Sequence, residues 1–374
     1  MKRPVVFVIL QSGARANGGL QSISEVMRRL TEHRAIVLTN LDTDLTQAWR
    51  NHGIEVHVVA EQASAGFKRA PLGTIRTYGR FHRALAGILA GSGARVVHAN
   101  DPLAFQLSMA AAKAAGARLA LNLRDTIDPS RRPPRIKFRA LFAAADHVFY
   151  LSNEMAEQWR KVAANATRSC SVTFSIVDPR RFAPSPPPAG QTAVVLVPGI
   201  FWPKKGQLEF IRHVVPALAG KPIECWFAGD FDPERDPYAA ACAAAAQPFA
   251  DRVRFLGYRD DLPDLIAQAS VVAIPSRHEG LVRGMIEAMS GGRPVVSFDV
   301  CSAREMLEHK SGAAGAVLRR GDYDGMAQAL IRYATDRPAQ AAAGKAGRAL
   351  ALRLFDPDQV VERYERIYGQ LGGQ

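Results

Sequence analysis

Apolar runs of four to six residues recur along the chain, and the stretches between them place alanine, leucine and other apolar residues at helical spacing. The first half offers such runs at residues 5–10, 34–38, 55–59, 96–99, 119–123 and 147–151, with a shorter piece at 171–174. The second half offers 193–197, 224–228, 253–256, 271–274, 295–298 and 315–318. Strands alternating with helices from end to end predict layered α/β domains built on parallel sheets. Between the two series lie Pro184, Pro186, Pro187 and Pro188, which continue neither a helix nor a central strand. Residues 183–191 are therefore read as a semi-rigid linker between an N-terminal domain, 1–182, and a C-terminal domain, 192–355. The last stretch, 356–371, carries Val360, Val361, Tyr364, Ile367, Tyr368 and Leu371 at helical spacing. It predicts an amphipathic helix that closes the chain back on the N-terminal domain.

Composition adds limits rather than identity. A chain of 374 residues suits two domains, and 48% hydrophobic with 22% charged residues is ordinary for a globular protein. The apolar run at 5–10 is too short to span a bilayer and has no small-residue cleavage site behind it, so it reads as a buried first strand. The four cysteines (Cys170, Cys225, Cys242 and Cys301) form no CxxC pair, and the nine histidines form no HExxH or HxxxH pair. Neither a disulfide framework nor a metal site is expected, and a reducing cytoplasm is the expected compartment. Charge is more informative. Residues 1–182 hold 26 Lys and Arg against 13 Asp and Glu, whereas residues 183–374 hold 22 of each. The whole excess of +13 sits in the first half, where it would attract an anionic partner or serve only as a solubilising surface.

The segment after the run 271–274 carries the clearest chemistry. Pro275 ends the strand, and a polar turn with Glu279, Gly280, Leu281 and Val282 follows. A helix beginning near Gly284 then contains Glu287. In doubly wound folds ligands bind at this edge of the strands, and helix N-termini favour phosphates. Ionised carboxylates at such places accept hydrogen bonds from sugar and ribose hydroxyls; the plainer reading is a dipole-complementing Glu279 and a solvated Glu287. Directly after the run 193–197 come Gly199, Lys204, Lys205 and Gly206, where a lysine at a glycine-bearing strand end suits a phosphate.

These residues resemble the Glu-x7-Glu signature of retaining GT-B glycosyltransferases of group 1, family 4, and the resemblance covers nearly the whole chain. It implies that Glu279 touches the donor sugar and Glu287 the ribose. It implies that the strand–glycine–loop stretch with Gly257 and Tyr258 contributes to the base pocket, and that Arg283 belongs to the donor-binding turn. Lys205 and Gly206 match the family's Gly-Arg-x4-Lys-Gly, but its arginine is Ile200 here. That departure removes one of two expected cations, for which Lys204 or Arg283 could compensate. The glycines Gly18 and Gly19 resemble the family's N-terminal Gly-Gly loop; they do not make GxGxxG, so a dinucleotide cofactor is not supported. His98 matches a family position, while Asn100 and Arg124 stand where the family often shows histidines. Arg124 and Asp125 are expected to bind the acceptor or each other.

Residues 67–83 mix cations, among them Arg76, Arg80 and Arg83, with Phe67, Leu72, Ile75, Tyr78 and Phe81. From near Pro71 they predict a basic amphipathic helix that lies either on an anionic membrane or on the protein's own core. A second cluster places Arg131, Arg132, Arg135, Lys137 and Arg139 around Phe138. No stacking platform or groove-reading motif is visible, so nucleic acid is not expected. The expected fold is α/β of the GT-B type, with two Rossmann-like, doubly wound domains facing across a cleft. The expected function is transfer of a sugar, with retention, from a nucleotide-diphosphate sugar to a hydroxyl of a glycan or lipid-linked acceptor in cell-envelope polysaccharide or glycolipid synthesis. Glu279, Lys205, Arg124 and His98 form the expected catalytic group. No metal or other cofactor is implied, and the place is the cytoplasm or the inner face of the membrane. A catalytically silent membrane-surface protein and a GT-B sugar epimerase stay open as rivals.

Overall fold

In the computed structural model, which describes residues 2–11, 13, 18–59, 71–127, 135–163, 166, 168–184, 192–309 and 312–373, the chain forms two compact units. Unit 1 comprises Met1–Ile176 with Pro357–Gln374, and unit 2 comprises Val177–Asp356.

Unit 1 begins with β1 (Arg3–Ile9), α1 (Gly18–Arg29), β2 (His33–Thr39), α2 (Asp44–Asn51) and β3 (Glu55–Val58). It continues through α3 (Pro71–Ser92), β4 (Val96–Ala99), α4 (Pro102–Ala114), β5 (Arg118–Leu123), α5 (Arg135–Ala144), β6 (His147–Tyr150), α6 (Asn153–Ala163) and β7 (Cys170–Val172). The strands form one parallel sheet in the order β3-β2-β1-β4-β5-β6-β7, so the order reverses between β1 and β4. Val5, Phe7 and Ile9 pack with Leu20, Ile23, Val26 and Met27 of α1 in one buried cluster.

The C-terminal helix, α14 (Pro357–Gly372), joins that cluster through Val360, Val361, Tyr364, Ile367 and Tyr368. Its buried Glu365 accepts hydrogen bonds from the amides of Thr31 (2.7 Å), Glu32 (2.8 Å) and His33 (3.2 Å). A carboxylate that satisfies the donors of a turn fixes the helix in register as well as in place.

Unit 2 contains β8 (Ala193–Pro198), α7 (Gln207–His213), β9 (Ile223–Ala228), α8 (Pro237–Ala246), β10 (Val253–Gly257), α9 (Leu262–Gln268), β11 (Val271–Ile274), α10 (Arg283–Ser290) and β12 (Val295–Phe298). After α11 (Ala303–Leu307), a small antiparallel pair, β13 (Glu308–His309) and β14 (Gly312–Ala313), precedes β15 (Gly315–Leu318), α12 (Tyr323–Thr335) and α13 (Arg337–Leu354). Its parallel sheet runs β10-β9-β8-β11-β12-β15, with Val271 opposite Val195 and Val272 opposite Leu196. Here the order reverses between β8 and β11. A doubly wound sheet opens a crevice at that reversal, at the carboxyl ends of its strands.

The division between units falls at Ile176/Val177, ahead of the expected linker. Arg348 on α13 explains the difference: its guanidinium donates to the carbonyls of Pro179 and Phe182, each at 2.7 Å, and also bonds Ser290 O. Those bonds tie the segment before the prolines to unit 2. Of the linker itself, residues 185–191 lie outside the described residues.

Candidate active site

The loops leaving β8 and β11 meet at the reversal in unit 2. Gly199 leaves β8 with φ +139°, and its carbonyl stands 1.9 Å from where a side chain on Gly229 would begin. Only glycine after β9 permits that approach. Phe201 then turns inward onto Phe231 (4.7 Å between centroids) and Phe255 (5.8 Å). Ile200 and Trp202 on either side point outward, 53% and 56% exposed. Gln207 Nε2 donates to Ile200 O at 2.8 Å and holds the loop closed. A short turn at Pro203–Lys205 ends on Gly206, which is left-handed (φ +74°) and sits so near Pro275 that a Cβ would lie 2.2 Å from its carbonyl oxygen. The Arg277 amide donates to Lys204 O at 2.8 Å, which completes the union of the two loops.

Two ion pairs stand on this frame. Lys205 Nζ lies 2.7 Å from Glu279 Oε1, and Arg283 Nε lies 2.7 Å from Glu287 Oε1. Both carboxylates are nearly buried. Gly284, in the first turn of α10, leaves room for Pro198 at the end of β8, whose Cγ a Cβ would meet at 3.2 Å. Gly280 lies in the turn with Leu281 and Val282, and its carbonyl accepts from Ser302 Oγ at 3.2 Å. Along the same sheet edge, Gly257 closes β10 with φ +67° and its carbonyl accepts from the Gly229 amide at 2.9 Å; Tyr258 beyond it is 61% exposed. Of the donor-side residues expected from the sequence, those of the C-terminal domain lie along one edge of one sheet, with two buried acceptor groups and two cations, whereas Gly18 and Gly19 belong to unit 1.

Unit 1 arranges its expected residues differently. His98 is fully buried in β4, with Nδ1 3.0 Å from Tyr368 Oη and Nε2 3.4 Å from Asn122 Nδ2. Phe7, Phe149, Tyr364 and Tyr368 surround the ring, and burial, with the charges of Arg124 and His147, lowers its pKa to about 3. Such a histidine stays neutral and engaged inside the core, which corrects its expected place in the catalytic group. Arg124 is half-buried beyond β5, close enough to act on His98 electrostatically, and Asp125 beside it is exposed. Gly18 and Gly19 open α1. On α3, Arg76 and Arg83 are exposed and Arg80 is half-buried, while Phe81, Leu85, Ile88 and Leu89 are buried. The described apolar face of α3 therefore packs in the core. On α5, Phe138 lies against Trp159 (4.7 Å) rather than outward. Phe67, Arg131 and Arg132 lie outside the described residues, and the side chains of Leu72 and Ile75 are not described.

Two family profiles match separate parts of the chain: "Glycosyl transferases group 1" over residues 192–336 and "Glycosyltransferase Family 4" over residues 43–172. The chain belongs to the group 1, family 4 glycosyltransferases. A stretch of 122 residues, 33% of the chain, is 31% identical to the lipopolysaccharide core biosynthesis mannosyltransferase LpsB of Rhizobium meliloti and covers 35% of that protein. Matches to the curated relatives span between 22% and 49% of their lengths. Among solved structures, HepE of Anabaena in complex with UDP superposes with a TM-score of 0.81 at 20% identity, over 99% of this chain and 100% of that one. A glycosyltransferase from Rickettsia africae gives 0.82 at 16% identity, over 100% and 99%. These likenesses establish the GT-B glycosyltransferase fold of two parallel-sheet α/β domains.

Two parts of this glycosyltransferase's site carry no reading from its sequence. Gly229 directly follows a strand end, a visible signal once its strand is assigned. Ser302 does not: it is buried and holds φ +74°, the one positive value outside glycine among the described residues. A serine held in that region is strained, and its hydroxyl reaches the turn carbonyl of Gly280. Its sequence neighbourhood shows nothing of this.

Proposed function

We propose that this chain is a retaining glycosyltransferase that moves a sugar from a nucleotide-diphosphate sugar to a hydroxyl of a glycan or lipid-linked acceptor, in cell-envelope polysaccharide or glycolipid synthesis. The observation that carries the proposal is the Lys205–Glu279 pair at 2.7 Å on the strand-order reversal of unit 2. In this reading Glu279 accepts hydrogen bonds from the donor sugar and Glu287 from the ribose. Lys205 faces the diphosphate and stabilises the charge that develops on it as the glycosidic bond breaks. Gly199, Gly206 and Gly229 let the ligand and the loops approach the backbone closely. Arg124 and Asp125, beyond β5 of unit 1, are proposed to take the acceptor. Names among the relatives and neighbours support these classes: LpsB acts in lipopolysaccharide core synthesis, and HepE is seen with UDP. The proposal needs no divalent metal, so turnover should survive a chelator.

A cytoplasmic chain touching the membrane from its inner face is part of the same proposal. Ile136 on α5 is 88% exposed between the exposed Arg135 and Lys137, with Arg139 on the same helix. An apolar side chain among cations suits an anionic bilayer surface. No helix among the described residues is long and apolar enough to cross a membrane.

The experiment is a thermal-shift screen against UDP, GDP, ADP and their sugar conjugates, with the Glu287→Ala variant alongside. A ligand of the folded state raises Tm in a concentration-dependent way. One base series should do so, and the variant should lose the shift. The exposed Ile200, standing where the family carries arginine, favours a second reading in which the site is silent. That reading gains if no nucleotide moves the wild-type transition.

A further inference from the structure

We propose that Arg283, rather than a residue of the β8 loop, supplies the second cation for the donor's diphosphate, and that its pairing with Glu287 is the resting arrangement of that cation. This inference rests on the nucleotide-sugar reading above. Arg283 is the first residue of α10, where a positive charge opposes the helix dipole. Its partner Glu287 lies four residues on, and a cation placed N-terminal to its carboxylate is the weaker order for such a pair. The helix has neither an acidic residue in its first turn nor a side-chain cap at Val282. The arginine is nonetheless largely covered, with 17% of its side chain exposed. The positive charge at the helix start and the uncapped first turn are unfavourable to the isolated unit, and an anion at the helix start offsets both.

Position agrees with that assignment. The next residue, Gly284, abuts Pro198 at the end of β8, and the stem of Lys205 lies 3.8 Å from where a Cβ on Gly199 would begin. Arg283 opens the helix after β11 and Lys205 ends the short turn after β8, so they stand on opposite sides of the strand-order reversal, with Gly284 and the Lys205 stem both packed at the end of β8. The β8 loop offers the outward, apolar Ile200 there instead. Two carboxylates and two cations balance while the site is empty of donor. A diphosphate draws the cations as its sugar and ribose hydroxyls take the carboxylates, so each group exchanges one partner for another.

The test is a double-mutant cycle read by titration calorimetry with the nucleoside diphosphate that shifts wild-type Tm. Arg283→Gln should weaken its binding roughly ten-fold or more, the size of a lost charge-assisted hydrogen bond. The loss should persist when Glu287→Gln is already present, because the arginine acts on the phosphate itself. Arg283→Lys should retain most of the affinity, and Ile200→Arg should restore part of what Arg283→Gln removes. Unchanged Tm without nucleotide checks that the variants fold. If the loss vanishes in the Glu287→Gln background, or never occurs, Arg283 only positions the glutamate and the inference fails. If wild type binds no nucleotide, the glycosyltransferase reading fails first, a separately visible result.

Discussion

Replacing Gly206 by alanine tests the union of the two loops on which the site stands. Two costs arise and can be separated. The first is conformational: Gly206 has φ +74°, where a side chain meets the following carbonyl, at about 1–2 kcal/mol. The second is steric: the new Cβ would lie 2.2 Å from Pro275 O and 3.1 Å from its carbonyl carbon. Relief needs a movement on the order of 1 Å to reach ordinary contact. The Arg277–Lys204 bond at 2.8 Å and the Gln207–Ile200 bond at 2.8 Å both resist it. Overpacking of this kind adds about 1–3 kcal/mol. Gly220 is the control, since it also has φ +74° but nothing within 4 Å of its missing Cβ. Gly220→Ala should therefore lose only the conformational part.

Urea unfolding of both variants reads the difference, with Gly206→Ala less stable than Gly220→Ala by about 1–3 kcal/mol. The same opening displaces Lys205, the next residue back along the chain, from Glu279. A misplacement of about 1 Å can cost as much as 10²-fold in turnover, so donor transfer should fall much further in Gly206→Ala than in the control. Equal stability losses in the two variants, or wild-type transfer by Gly206→Ala, would refute the close approach and the role given to it.

Two further outcomes follow from unit 1. Burial lowers the pKa of His98 to about 3, Arg124 and His147 adding to it, and lowers His147 to about 4. Both are neutral when folded but take up a proton near pH 6.5 when unfolded, so their stabilisation is complete above that pH and falls as pH drops toward the folded values. Between pH 7 and pH 5 each should withdraw about 2 kcal/mol from unfolding, and imidazole NMR signals that titrate above pH 5 in the folded protein would contradict this. On α5, Ile136→Glu should weaken sedimentation with phosphatidylglycerol vesicles while leaving nucleotide binding intact; equal sedimentation of wild type and variant would remove α5 from membrane contact.

What the sequence makes legible depends on whether a signal is local. The strands 96–99, 271–274, 295–298 and 315–318 agree residue for residue with β4, β11, β12 and β15, because each is a mostly apolar run followed by a polar residue or a proline. Lys205, Glu279 and Glu287 are legible for a related reason. Each comes after a strand that flanks the reversal, so the chain order alone delivers it to the carboxyl edge of the sheet, where doubly wound folds open a crevice. The contacts of Gly206 with Pro275 and of Gly229 with Gly199 join loops distant in sequence, and no local pattern encodes them. Phe81 on α3 fails in another way: an amphipathic face has the same periodicity whether it meets a membrane or the protein's own core.

His98 shows where the local signal divides. It is a polar residue near a strand end, yet it stands inside β4, ahead of its last residue Ala99, whereas Lys205 and Glu279 lie in loops beyond their strands. A side chain within a central strand points to a covered face of the sheet, so its polar atoms must find partners in the core, and Tyr368 of α14 supplies one. Asn100 and Asp101 come after the strand, and Asp101 accepts from the Leu103 and Ala104 amides to cap α4. Position before or after the final strand residue therefore separates a core histidine from an edge residue. By the same test Arg124, which follows Leu123 at the end of β5, keeps its place at the edge of unit 1 where His98 does not.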